Sequence, residues 1–141
     1  YGAANEFRNL YGTKVAISAE DAAYLRGQLE KGKLDVLTAP VIDREIHDGE
    51  IFSFGGKEIR CELTPGHTPG SVCLDFGGTI FSGDTLFAGS CGRTDLPGGS
   101  WAVIQKSLSR LSTLDDALRV YPGHGDSTIL AAEKQYNPYM R

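Results

Sequence analysis

His67, Asp84 and His124 are the residues of this chain whose types and surroundings could do chemistry. Each comes directly after a glycine at the end of a short apolar run. Residues 59–63 lead into Thr64-Pro65-Gly66-His67, residues 79–81 into Ser82-Gly83-Asp84, and residues 118–121 into Pro122-Gly123-His124. Imidazole and carboxylate are ligand types for zinc, iron or manganese, and side chains just beyond strand ends can converge on one point. A glycine beside each ligand lets backbone crowd a small site that a Cβ would block. Taken singly, these signals are ordinary: a histidine after a strand is commonly a hydrogen-bonded structural residue, and Gly-Asp is commonly a turn. The conjunction carries the weight. His67 and His124 are two of three histidines, and both take the form Pro-Gly-His. His47, in Glu45-Ile46-His47-Asp48-Gly49, lacks that setting and reads as a surface turn residue.

The elements that must hold these residues can be traced along the chain. Residues 3–11 read as an amphipathic helix with Ala3, Phe7 and Leu10 on one face, stopped by Gly12. Residues 14–17 read as a short strand, and Ser18 opens a second helix with Asp21 three residues on. Residues 27–40 are expected to be a loop with a helical turn. Ile51–Phe54 and Lys57–Leu63 flank Gly55-Gly56, and 72–76 and 79–81 flank Gly77-Gly78. Two such hairpin signals predict an antiparallel meander. Ser100 caps a helix whose stripe Trp101, Ile104, Leu108, Leu111 and Leu114 should face the core. A strand at 118–121 and a helix over 128–136, ended by Asn137-Pro138, complete the chain. Meander, then helix–strand–helix, is an α+β layered arrangement, read as a single domain over 1–141 without a linker.

Composition sets outer bounds. The 141 residues are 40% hydrophobic and 23% charged, as in globular proteins with a real core. A net charge of −4 without blocks of like charge argues against nucleic-acid and anionic-membrane partners. No apolar run approaches the ~20 residues that span a bilayer. Cys61, Cys73 and Cys91 are odd in number and form no CxxC pair, which fits neither a disulfide framework nor a zinc finger. Cys61 and Cys73 lie in apolar runs and read as core, and a reduced cytoplasmic location is expected. The chain begins with Tyr1, so a processed leader stays open as an alternative.

In combination, three segments resemble the third, fourth and fifth metal motifs of the metallo-β-lactamase superfamily. They are Thr64-Pro65-Gly66-His67-Thr68-Pro69-Gly70-Ser71, Ser82-Gly83-Asp84-Thr85-Leu86-Phe87 and Tyr121-Pro122-Gly123-His124-Gly125. The loop Gly92-Arg93-Thr94-Asp95-Leu96-Pro97-Gly98-Gly99 is similar to that of its small glyoxalase II-like members. The resemblance implies part of an αββα sandwich and a two-metal centre. His67 would bind one ion, His124 the other, and Asp84 would bridge them as the central catalytic ligand. Zinc is the implied metal, with iron or manganese as alternatives, and a hydroxide held between the ions would attack a thioester carbonyl. Arg93 would meet a substrate carboxylate, the alternative being a structural ion pair with Asp95 or in the neighbourhood of Asp84. Thr68 and Ser71 would support the ligands from behind, or simply close a turn.

The family's first motif, HxHxDH, is missing from this sequence. Tyr1-Gly2-Ala3-Ala4 resembles the segment next to that motif on its C-terminal side. The chain is therefore expected to be the C-terminal portion of the fold, lacking the N-terminal strands and supplying three of seven ligands. Such a fragment should be poorly active, with an apolar sheet face available for self-association. The leading expectation is a small-molecule thioester hydrolase. An iron-dependent persulfide dioxygenase and a non-catalytic binding or self-association module are the alternatives.

Overall fold

The computed structural model describes residues 3–141. Tyr1 and Gly2, which open the stretch likened to the segment beside the absent motif, lie outside the described residues. Contacts divide the chain into two compact units, Tyr1–His47 and Asp48–Arg141.

The first unit holds helix α1 (Ala4–Tyr11), strand β1 (Ala16–Ser18), helix α2 (Ala19–Glu30) and strand β2 (Arg44–Ile46). The Ser18 hydroxyl accepts the Asp21 backbone N–H, the cap its sequence predicts. α2 runs on to Glu30, into the region expected to be loop with a helical turn, and β2, which had no signal in the sequence, pairs parallel with β1. A three-residue strand with one buried side chain, Ile46, is too short to show a period of two.

The second unit carries the sheet. Strands β3 (Ile51–Phe54), β4 (Lys57–Leu63), β5 (Val72–Asp75) and β6 (Thr79–Gly83) form the antiparallel meander. A small hairpin of β7 (Leu86–Phe87) and β8 (Ser90–Cys91) comes next, then helix α3 (Trp101–Leu111), strand β9 (Arg119–Pro122), strand β10 (Thr128–Ile129) and helix α4 (Leu130–Tyr136). The order across the sheet is β10-β9-β6-β5-β4-β3. β9 returns parallel to β6 after the α3 crossover, in the register Phe81↔Tyr121 and Gly83↔Pro122. β4 runs in the same direction as β6, because each is antiparallel to β5. The three strands that end in His67, Asp84 and His124 therefore point the same way, and their last residues share one edge.

One face of this sheet packs under α3. Ile104, Leu108 and Leu111 lie against Cys73, Ile80 and Val120, with Leu86, Leu118 and Leu130 closing the cluster. Trp101 departs from the expected stripe: it is 44% exposed and meets Tyr139 edge-on at 5.7 Å. It sits in the first turn of α3, at the end of the helix, and Ile104 one turn on is the first fully buried stripe residue. Cys61 and Cys73 are buried, as their apolar runs suggested. The pairings Cys61↔Leu74, Leu74↔Phe81 and Phe81↔Tyr121 define the opposite face. It carries an aromatic strip, with the Phe81 ring 5.2 Å from Phe76 and 5.6 Å from Tyr121. Among the described residues, no helix is long and apolar enough to cross a membrane.

Candidate metal centre

Asp84 stands directly after β6, between the two histidines. Its Oδ2 lies 3.4 Å from His67 Nε2, and its Oδ1 lies 3.5 Å from His124 Nδ1. These separations are long for N–H···O hydrogen bonds, whose mode is about 2.9–3.0 Å. They match something else. Two donors about 2.0–2.1 Å from one tetrahedral ion stand roughly 3.3 Å apart. Each carboxylate oxygen thus shares a gap of ion size with a different imidazole. Oδ1 is buried and accepts no hydrogen bond from the described residues. Such an orphaned acceptor costs free energy unless something electropositive meets it. Among the described residues, no group of three or more His, Cys, Asp or Glu is placed to hold one ion. The donors are arranged as two pairs sharing a carboxylate.

Backbone presses closely on this carboxylate. A Cβ on Gly123 would stand 2.7 Å from Asp84 Oδ1, and one on Gly92 would stand 1.7 Å from the Asp84 carbonyl oxygen. Gly123 therefore does what a glycine beside a ligand was expected to do, and Gly92 is tighter still. Gly66 instead makes room for Ile104 of α3, and a Cβ on Gly83 would meet only the Val72 carbonyl oxygen, at 3.7 Å.

The His67 ring is held from behind. Its Nδ1 lies 2.8 Å from the Arg93 carbonyl oxygen. A carbonyl only accepts, so Nδ1 carries the hydrogen, and in the neutral ring the Nε2 lone pair faces Asp84. The turns bearing His67 and Asp84 are tied by buried hydroxyls, Thr64 Oγ1 and Thr85 Oγ1 at 2.9 Å, and the Asp84 turn is closed by Ser82 Oγ donating to the Leu86 carbonyl at 2.7 Å. Thr64 Oγ1 also meets Cys73 Sγ at 3.4 Å, and burial pushes that thiol up to about 11. His124 differs: its side chain is 75% exposed, and its ring stacks on Phe87 at 6.1 Å and 20°.

Thr68 and Ser71 bond each other, hydroxyl to hydroxyl at 2.8 Å, and the Thr68 N–H donates to Ser71 Oγ at 3.0 Å. That closes the turn after His67. The Arg93 guanidinium grips Asp95 through both oxygens, at 2.8 and 2.7 Å, and holds that carboxyl down to about 2. Arg93 still lines the pocket, together with His67, Asp84, Phe87, Ser90, Cys91, Gly92 and His124. Burial pushes the Cys91 thiol up, the opposite of what a nucleophile needs. His47 is exposed. Phe87 and Ser90 went unseen in sequence because two-residue strands show no periodicity, and the Arg93 carbonyl because a backbone group has no sequence signal.

Comparison with known proteins identifies the family and the fold. The family model described as metallo-beta-lactamase superfamily matches residues 1–124. The hydroxyacylglutathione hydrolase GloC of Haemophilus influenzae is 31% identical over 147 residues, 99% of this chain and 69% of that protein. A crystal structure of TTHA1623 in a di-iron-bound form has a TM-score of 0.82 at 34% identity, covering 98% of this chain and 70% of that one. ETHE1 from Myxococcus xanthus has a TM-score of 0.77 at 29% identity, covering 96% and 55%. The chain spans 45% of the length of several curated relatives that it matches at 42% identity. On the strength of the family match, the shared fold and the strand-end donors, this chain belongs to the metallo-beta-lactamase superfamily.

Proposed function

We propose that the protein is a metal-dependent thioester hydrolase of the glyoxalase II kind, with Asp84 shared between two divalent ions. One observation carries the reading: a carboxylate with an imidazole at co-ligand distance from each oxygen, and one of those oxygens buried without a hydrogen bond. Metal ions bound there would supply water activation and a positive centre for charge developing on a carbonyl oxygen. The chain's own residues do the rest. Asp84 would hold the ions together with His67 and His124, and its charge would offset their mutual repulsion. The Arg93 carbonyl fixes the His67 tautomer, and Phe87 backs the His124 ring. The Arg93 guanidinium, at the pocket edge, meets a substrate carboxylate with the same two-pronged geometry it now offers Asp95. Likeness to GloC supports hydroxyacylglutathione-type thioesters as the substrate class. Zinc is the first candidate, and the di-iron relative makes iron the second. Three cysteines with no disulfide between them suit a reducing compartment, so the cytoplasm is the proposed location.

One imidazole and one carboxylate oxygen per ion leave most of each shell to water, so metal binding by this chain is weak and turnover low. The test is thioester cleavage as zinc is titrated, in the wild type and in Asp84→Asn. Cleavage that rises with zinc, falls on chelation and vanishes in the variant supports the proposal. Equal rates in the two proteins contradict it. Likeness to ETHE1 favours a second reading, an iron-dependent persulfide dioxygenase. Iron-dependent dioxygen uptake with a persulfide, without thioester cleavage, would select it.

A further inference from the structure

We propose that Glu133 and Asn137 are positioning residues for the His124 half of the site, an inference that rests on the metal-centre reading above. Both are deeply buried, 4% and 0% exposed, and neither is one of the three donors. A carboxylate buried this far is costly unless its oxygens are satisfied. Here they are satisfied by groups from three segments. Glu133 Oε2 accepts the Gly89 backbone N–H at 2.8 Å and the Asn137 amide at 2.8 Å. Oε1 accepts the Thr128 hydroxyl at 2.7 Å. The Asn137 amide also donates to the Ser90 carbonyl at 2.9 Å and more loosely to the Phe87 carbonyl at 3.4 Å. Gly89 and Ser90 belong to the β7–β8 hairpin, and Thr128 opens β10, four residues after His124. One buried carboxylate thus fastens both the hairpin that carries Phe87 and the chain that leaves His124.

Those two segments need fastening. The hairpin has only the pairs Leu86↔Cys91 and Phe87↔Ser90, and so short a ribbon is not stable by itself. Its Phe87 ring is the wall on which the exposed His124 ring stacks. His67 is braced by a different group, the Arg93 carbonyl, which lies two residues beyond β8 and carries no direct bond to Glu133 or Asn137. Loosening Glu133 should therefore disturb His124 more than His67. A buried acid that served stability alone would weaken both alike.

The experiment tracks the two imidazoles separately by NMR, on the full chain with labelled histidine, as zinc is added. Glu133→Gln keeps the volume but puts an amide NH2 where one oxygen accepts. Thr128→Ala removes the Oε1 bond alone and serves if Glu133→Gln does not fold. Losing an outer partner of a metal ligand commonly costs about 10–100-fold in metal affinity. The expected result is a rise of about 10-fold or more in the zinc concentration that half-saturates His124, with His67 changed less than about threefold. Equal shifts at both histidines, or none at either, overturn the positioning role. If neither ring responds to zinc in the wild type, the metal-centre reading fails first and takes this inference with it.

Discussion

His67 sits on a turn braced by buried hydroxyls, with four fifths of its side chain covered and its ring bonded to a backbone carbonyl, whereas His124 stands 75% exposed at the end of β9 against a phenylalanine of a two-pair hairpin. The same motif, Pro-Gly-His at a strand end, thus leads to two mechanical settings. The His67 side is preorganised, and an ion entering there needs little rearrangement. The His124 side must order its ring as it binds, so it should fill second and be lost first. The shared carboxylate couples them.

The largest effect that could break this contrast is at Asp84. Asp84→Ala removes the shared donor from both pairs, so zinc affinity should fall at both histidines by more than the roughly 100-fold that an outer partner costs at most. Calorimetry with zinc would show it, and a variant that keeps one site intact would mean that Asp84 bridges nothing. His67→Ala and His124→Ala come next. Each should abolish mainly its own site, and His67→Ala should remove the tighter of the two binding events. If His124→Ala removed the tighter event instead, exposure would be a poor guide to preorganisation.

Gly92→Ala probes the frame rather than the donors. Its Cβ would stand 1.7 Å from the Asp84 carbonyl oxygen and 3.4 Å from His67 Cβ, so backbone must move. Overpacking of this kind costs about 1–3 kcal/mol, sometimes more, and thermal unfolding should show it. Gly123→Ala meets the Asp84 side chain at 2.7 Å, which can swing, and the Gly83 backbone less tightly at 3.2 Å. Its cost should fall more on zinc binding than on the melting temperature. The smallest expected effect is at Arg93. Arg93→Ala should raise KM for carboxylate-bearing thioesters by about 10-fold, the value of a charge-assisted bond of about 1.4 kcal/mol. KM for uncharged thioesters and zinc content should stay unchanged. An equal change on both substrates would make the Asp95 pair Arg93's whole role.

The Gly-Gly hairpins were readable from sequence because their turn chemistry is local: β3 to β6 stand where Gly55-Gly56 and Gly77-Gly78 put them. The three donors were readable because each combines a ligand type with a strand end and a glycine. The features that escaped are set by tertiary packing. β2 and the β7–β8 hairpin are too short to carry a period. Trp101 looked like the first knob of a core stripe, yet its position in the opening turn of α3 leaves it 44% exposed. Glu133 reads as an ordinary polar residue on a short helix, and its burial is visible only once Gly89, Thr128 and Asn137 gather round it. The parallel return of β9 beside β6, which brings Asp84 and His124 to one edge, is likewise a property of the α3 crossover rather than of either strand's sequence.

Crystals of the chain grown with zinc, with the ions located by their anomalous scattering, test the shared-carboxylate centre most directly. Two ions are expected, roughly 3.5–4 Å apart as in two-metal sites. One would lie between Asp84 Oδ2 and His67 Nε2, the other between Asp84 Oδ1 and His124. A single ion held by both histidines, or ions bound away from Asp84, would contradict a carboxylate shared between two metals.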